Sequence, residues 1–459
     1  MNNLEIITKP VITCIASLLF LTMSYGQDAK GEDPWKQYTE AEDAGFSSES
    51  LTLLNTKLDT MDTASLLVIY KGHVLFSFGD TTRKFMIHSI RKAIMNAMIG
   101  RAIENGVLDL DQTLEELHIE DIGILTDIEK KATLKDLLSA RSGVYHPSAY
   151  STREMINNLP ERGSHAPGAF WFYNNWDFNA LLTIYEQQTG KKFFEAFKTE
   201  IADPIGMEDF NIEDTFYRFE KDRSDHPAYL MNLSARDMAR FGQLYLNNGI
   251  WNDNQIIPQD WIEQSTAPIS TDLGDFSSRE SYGFLWWVSH IDTKKMYYAS
   301  GTGGHRIMVI PESDLVIIHR VNTYQNLGVR EQDVNDIVLQ ILKAKMNTAT
   351  NDPQARPIPY NPPKKSFKTT YMGSMDAFLG TYKHRFLGEM TIKKSNDGFI
   401  IRNGVGTYNL YAVSENSFFT EDIELPVVFI KAPDESKKFS ISPRMMDDRR
   451  TIKDMVFYY

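Results

Sequence analysis

The sequence predicts an α+β domain, an antiparallel sheet flanked by helices with an all-helical region, followed by a small all-β barrel-like unit. Three observations predict it. Strand patterns fall early, at residues 65–70 and 73–78, and late, at 282–289, 295–299, 306–310 and 315–320, with helical spacing between them. Pro353, Pro357, Pro359, Pro362 and Pro363 then mark an extended linker. Beyond the linker, short alternating segments broken by Gly, Asn and Asp recur at even spacing.

The first residues carry Lys9, an apolar run at 11–23 and the small residues Ser24 and Gly26. This is the layout of a secretory signal, with cleavage expected after Gly26; an uncleaved anchor is the alternative, because Glu5 weakens the charged start. Residues 27–46 are polar and read as a loose leader. Apolar residues at 49–59 keep helical spacing, and 65–70 with 73–78 form a hairpin through Lys71-Gly72. The hairpin delivers the chain to 85–100, FMIHSIRKAIMNAMIG, read as a short extended stretch and then an amphipathic helix. A short helix at 133–139 stops at Ser142-Gly143. Residues 144–170, rich in His, Pro, Ser and Gly, form an ordered surface loop ending near the turn signal Pro167-Gly168. Helices follow at 177–188, closed by Gly190, at 193–201, and at 234–247, where Ser234 is the N-cap. After the late strands a helix at 334–345 closes the unit. The C-terminal strands are expected at 378–382, 390–393, 399–402, 408–413, 417–420, 427–431, 439–442 and 455–459.

Composition narrows the function. The chain of 459 residues carries a net charge of −13 and has no run of Lys or Arg, which argues against a nucleic-acid partner. Cys14, the one cysteine, lies in the apolar run, so the mature chain would hold no thiol. That excludes disulfides and cysteine catalysis and suits a secreted or periplasmic protein. No later stretch approaches the ~20 apolar residues of a membrane helix, so no stable membrane insertion is expected after signal cleavage. The ten histidines are scattered without ligand spacing, and neither a metal site nor a cofactor is expected.

Chemistry is concentrated at Ser89 and Lys92. Three residues apart at a helix start, they lie on one face, one turn from each other. A serine hydroxyl needs a base, and a lysine in an apolar site can lose its charge and become one. The helix N-terminus adds N–H groups suited to a developing oxyanion. Such a spacing is common by chance, so the pair gains weight only from its surroundings. His88, directly before Ser89, points about 100° away on a helix and reads as packing.

Those surroundings are HSIRK, LLSARSGV, PGAFWFYNNWDFNALLTIYEQQTG, IADPIGM, LSARDMARFG, YGFLWW, and GTGGH followed by VIPESDLVIIHR, in this order. Over residues 47–346 the chain resembles the serine β-lactamase and penicillin-binding-protein superfamily, in its class C-like branch of esterases, D-amino-acid peptidases and nylon-oligomer hydrolases. The resemblance implies a β-lactamase/transpeptidase-like fold with an acylated Ser89, and Lys92 and Tyr173 as the acid/base pair. It implies that Asn175 bonds Lys92 and a substrate amide, and that the N–H groups of Ser89 and Thr302 form the oxyanion hole. Gly301 and Gly303 would let the substrate approach the strand, and His305 would lie in the same motif. Without that context Tyr173 reads as a core tyrosine and Asn175 as a helix cap.

One departure stands out. The family's third motif begins with a cation for a substrate carboxylate, and that place falls on Ala299. Arg306 or His305 would have to substitute, so the sequence favours uncharged esters or amides, with Trp171, Trp176, Trp286 and Trp287 forming an aromatic acyl pocket, Trp171 and Trp286 foremost. Residues 375–459, after a linker at 347–374, resemble the lipocalin-like module appended to such hydrolases, as a stabilising cap or as a wall of the cleft. The expected activity is a serine hydrolase acting on a small ester, amide or peptide. The alternatives are a β-lactamase or D-Ala-type peptidase and, in another class, a non-catalytic penicillin- or muropeptide-binding protein.

Overall fold

β-Branched runs build the centre of the molecule. Residues TASLLVIY and LVIIHRV are buried almost throughout, as strands covered on both faces must be, and they pair antiparallel from Leu315 with Tyr70 to Val321 with Thr63. This pairing joins the early hairpin to the late meander in one sheet. The computed structural model describes residues 34–325, 327–346, 354–358 and strand-forming segments between 376 and 458; the expected signal segment lies outside them.

Among the described residues the sheet runs Ala355–Pro357, Lys36–Tyr38, His73–Gly79, Thr63–Tyr70, Leu315–Val321, His305–Ile310, Lys294–Gly301, Trp287–Ile291, Ser281–Tyr282. Neighbours are antiparallel except Lys36–Tyr38, which lies parallel to His73–Gly79, so the sheet is mixed. The Lys71-Gly72 turn has positive φ at both residues, 47° and 76°, the geometry that lets a two-residue turn follow the strand twist. Helix Ala235–Leu246, capped by Ser234, packs on the sheet so closely that a Cβ on Gly242 would stand 2.6 Å from Val316 Cγ1. Helices Arg91–Glu104, Asn175–Thr189 and Leu134–Leu138 pack together as the helical region.

Four expectations change. Part of the leader, Lys36–Tyr38, is a strand at the sheet margin, held by backbone pairing and by the buried Trp35 and Tyr38. Ala355–Pro357 of the linker pairs outside it, a marginal place where proline's missing donor costs little. The 193–201 helix divides into Phe193–Phe197 and a wider π turn, Lys198–Ala202. Residues 282–289 are two strands, not one, because Leu285 turns the chain with φ 63°.

In the C-terminal unit, antiparallel strands from Gly380–His384 to Met455–Tyr458 pair in sequence order. Tyr382, Met390, Ile401, Tyr408 and Leu410 share one buried cluster with Phe85, Met86 and Tyr324 of the larger unit. The two units therefore meet behind the segment that leads to Ser89.

Candidate active site

Helix Arg91–Glu104 is buried on nearly every side, a core helix rather than an amphipathic one. Two of its polar residues bond across to other elements: Arg91 Nη2 donates to Asn179 Oδ1 at 3.0 Å, and Asn96 Oδ1 accepts from the Tyr245 hydroxyl at 2.6 Å. Before the helix, Phe85–Met86 pairs with Ala228–Leu233, and Ile87 N–H donates to Met231 O at 3.1 Å. A short 3-10 turn, His88–Ile90, then presents Ser89 half-buried at a cavity of about 1270 Å³.

His88 has φ 49°, a conformation that costs a side-chain-bearing residue energy and persists only where its surroundings hold it. Its Nδ1 lies 2.9 Å from the Tyr150 hydroxyl and its Nε2 2.9 Å from Thr323 Oγ1. Burial lowers its pKa to about 3, so the ring is neutral, donating at one nitrogen and accepting at the other. The ring is thus more than packing: it anchors the turn that carries Ser89.

Lys92 is 2% exposed, and its Nζ is 2.9 Å from Ser89 Oγ. The ring centroids of Phe178 and Tyr173 lie 4.6 and 4.7 Å from Nζ. Burial first, and the adjacent Arg91 charge second, hold its pKa well below the ordinary lysine value. Tyr173 lines the same cavity as Ser89, and desolvation raises its pKa, so the phenol keeps its proton. An amine biased towards its neutral form thus lies against the hydroxyl, with a protonated phenol on the same cavity wall, an arrangement suited to proton transfer from a serine.

The third piece comes from strand Lys294–Gly301. A Cβ on Gly301 would stand 2.6 Å from Ile87 O, so only glycine permits the strand this close to the nucleophile turn. Gly303, at φ 83°, would drive a Cβ to 2.3 Å from Thr323 Cγ2. Gly301, Thr302 and Gly303 all line the cavity.

Asn175 lines the cavity but does not reach Lys92: its Nδ2 donates to Tyr150 O at 2.7 Å, and its Oδ1 has no partner among the described residues. Capping falls to Asn174, whose Oδ1 accepts from Trp176 N–H at 3.1 Å. Asp177, buried two residues later, accepts from Ser142 Oγ at 2.6 Å, which is why LLSARSGV and YNNWD belong together.

Three expected binding residues lie off the cavity. His305 is fully buried on its strand and hydrogen-bonded to Val321 N–H; burial pushes its pKa well down. Trp286 packs inward against Tyr245 and Tyr297, and Trp171 lies behind Tyr173, ring centroids 6.4 Å apart. The break at Leu285 explains the tryptophans: it is Trp287 that faces the cavity, its ring 5.7 Å from that of Tyr173 and nearly parallel. Trp176 is core, donating Nε1–H to Asp121 Oδ2 at 2.6 Å.

The residues around Ala299 supply what sequence reasoning missed. Ala299 is buried, but Arg306 reaches the cavity wall, bonding Ser300 Oγ and lying 3.4 Å from Glu331 Oε1. Arg279 pairs with Glu331 Oε2 at 2.9 Å and lies over Trp287 at 4.3 Å. Two guanidinium groups therefore share one carboxylate at the mouth. Arg306 was visible as a substitute; nothing in the local pattern marked Arg279 or Glu331.

The family profile described as Beta-lactamase matches residues 56–340. A penicillin-binding protein of Bacillus subtilis is 23% identical over 313 residues, 62% of this chain and 67% of its own length. A 6-aminohexanoate-dimer hydrolase of Paenarthrobacter ureafaciens is 23% identical over 302 residues, 58% of this chain and 74% of its own. Among solved structures, a provisionally named 6-aminohexanoate-dimer hydrolase from Bacillus anthracis superposes with a TM-score of 0.50 at 22% identity, covering 64% of this chain and 82% of that one.

Proposed function

The chain belongs to the beta-lactamase family of serine hydrolases, and from that premise we propose that it cleaves an ester or amide bond through an acyl-enzyme on Ser89. The observation that carries this reading is the 2.9 Å contact between Lys92 Nζ and Ser89 Oγ, with the amine buried so that its pKa falls well below the ordinary lysine value. As Oγ attacks the carbonyl, Lys92 takes its proton. Tyr173, on the wall of the same cavity, relays a proton to the leaving group. The N–H groups of Ser89 and Thr302 receive the oxyanion, each such donor being worth about 3 kcal/mol in the transition state. Water then attacks the acyl-enzyme with the same pair acting in reverse. The signal layout makes the protein secreted or periplasmic, and the C-terminal strands, linked first to last at Lys383 and Tyr458, fit a barrel-like module.

Arg279 and Arg306 favour a second reading. Two cations against one Glu331 leave the cavity mouth positive, and a carboxylate-bearing substrate of the β-lactam or D-Ala type would be held there by paired N–H donors. A non-catalytic binding protein is the weaker choice, since binding alone has no use for a dry lysine against a serine.

Intact-protein mass spectrometry tests these readings after exposure to a fluorophosphonate, p-nitrophenyl butyrate and a penicillin, on wild type and Ser89→Ala. Adducts confined to wild type are expected, and their relative turnover chooses between ester and β-lactam chemistry. A folded wild type that takes no label from any probe overturns the hydrolase reading.

A further inference from the structure

The carboxylate of Glu331, in the cavity wall, is held as a bound anion would be. Arg279 Nη2 lies 2.9 Å from its Oε2, Arg306 Nη2 lies 3.4 Å from its Oε1, and the Tyr298 hydroxyl donates to Oε1 at 3.3 Å. Arg306 commits its other terminal nitrogen to the strand beside it, donating to Ser300 Oγ and, at 3.1 Å, to His305 O. Each guanidinium lies over a ring, Arg279 over Trp287 at 4.3 Å and Arg306 over Tyr298 at 5.6 Å. Their side chains are 15% and 5% exposed, so water screens these charges little and Glu331 is their counter-ion.

The carboxylate is also tethered from behind. Glu331 is the first residue of helix Glu331–Lys343, which Val334, Ile337, Val338 and Ile341 bury in the core. A negative side chain in the first turn is favoured by the helix dipole. Arg279, Arg306 and Glu331 line the same cavity as Ser89 and Thr302, so the cluster stands inside the space that a substrate enters.

We infer that Glu331 sets the charge of the substrate: it occupies the guanidinium donors that a substrate carboxylate would need, and so selects uncharged esters or amides. The inference rests on the hydrolase reading above and narrows it to its first form. An anionic substrate must displace Glu331 from both arginines or lie against it as a like charge, and either loses affinity that an uncharged substrate keeps. Ala299 alone suggested the same preference through a missing cation. The structure gives another cause, because the cations are present and an internal carboxylate takes them.

The test is kcat/KM of the full chain on two matched pairs of esters. p-Nitrophenyl hexanoate against mono-p-nitrophenyl adipate places a carboxylate on the acyl side, and 3-carbamoylphenyl butyrate against 3-carboxyphenyl butyrate places it on the leaving group. Wild type should favour the uncharged member of each pair. Glu331→Gln, which keeps the shape and removes the charge, should raise the anionic member relative to the uncharged one about tenfold in at least one pair. Glu331→Asp should not, and adding Arg279→Gln to Glu331→Gln should take the gain away. Arg279→Gln alone answers the question where Glu331→Gln does not fold: with Glu331 in place its ratio should stay within about threefold of wild type. A folded Glu331→Gln with both ratios unchanged overturns the inference. So does a loss of about tenfold for an anionic ester in Arg279→Gln alone, or a wild type that prefers the anionic member of either pair. Wild type that takes no fluorophosphonate label and cleaves none of the esters overturns the hydrolase reading, and this inference with it; labelled, active protein with unchanged ratios overturns this inference alone.

Discussion

The proposed reaction assigns a role to three side chains, and each can be tested alone. Ser89→Ala should lower kcat by at least about 10³-fold, and Tyr173→Phe by about 10²- to 10⁴-fold, measured as p-nitrophenolate release. Lys92 sets the acid limb of the pH profile. Because burial lowers its pKa, activity should rise with pH at values well below those at which an exposed lysine titrates, and the limb should vanish with Lys92→Met. The same shift has a stability consequence. Between the folded and unfolded pKa values the unfolded chain binds more protons, so stability rises with pH across that window, and below it the full penalty of burying the amine is felt. Lys92→Met should therefore be inactive yet more stable than wild type in urea melts, with the gap widening as pH falls. Equal melts at every pH would show that the amine is solvated in the native protein. Of these residues Ser89 and Lys92 were marked in the sequence by their spacing, since i and i+3 share a helical face, but only together with the motifs around them.

At the scale of elements, fit decides what propensity leaves open. Gly100 lies inside the nucleophile helix, where alanine would normally gain about 1 kcal/mol. A Cβ there would meet the Trp261 ring at 2.2 Å, and that ring is fixed by Nε1–H donation to Asn96 O at 3.0 Å. Gly100→Ala should thus cost roughly 1–3 kcal/mol by chemical denaturation, overpacking outweighing propensity. Asp177 binds the loop after Leu134–Leu138 to the start of Asn175–Thr189, and burial raises its pKa well above the usual carboxylate value. Here the native state holds the extra proton, so stability falls as pH rises through that range. Asp177→Asn should be at least as stable as wild type near neutral pH and flatten the slope, whereas Asp177→Leu leaves Ser142 Oγ and Asn174 Nδ2 short of an acceptor and should lose about 1–3 kcal/mol. Caps and turns were legible in these elements, as at Ser234 and Lys71-Gly72. The break at Leu285 was not, since YGFLWWVS has the composition of one strand; that reading ranked Trp286 ahead of Trp287, and it is Trp287 that lines the cavity.

For the whole molecule, the pairing of Thr63–Tyr70 with Leu315–Val321 makes early and late chain interdependent. Native-state hydrogen exchange should therefore give these two strands the same opening free energy, because neither can leave without exposing the other. Markedly different values would mean that the halves open separately. The extra strands Lys36–Tyr38 and Ala355–Pro357 should exchange faster, being short and marginal. Neither was legible, because backbone pairing at a sheet margin is open to almost any sequence and leaves little apolar pattern behind.

By itself the sequence determined the α+β order of the domain, the pairing of Ser89 with Lys92, the glycines beside them and the motif series that names the family. Each rests on local spacing or on residue types with few substitutes. Only the tertiary structure decided that Lys92 is dry, that Asn175 bonds Tyr150 rather than Lys92, that His305 faces the core, and that Arg279 and Arg306 meet over Glu331. Desolvation and the meeting of distant side chains are properties of the packed chain, and no periodicity along a sequence encodes them.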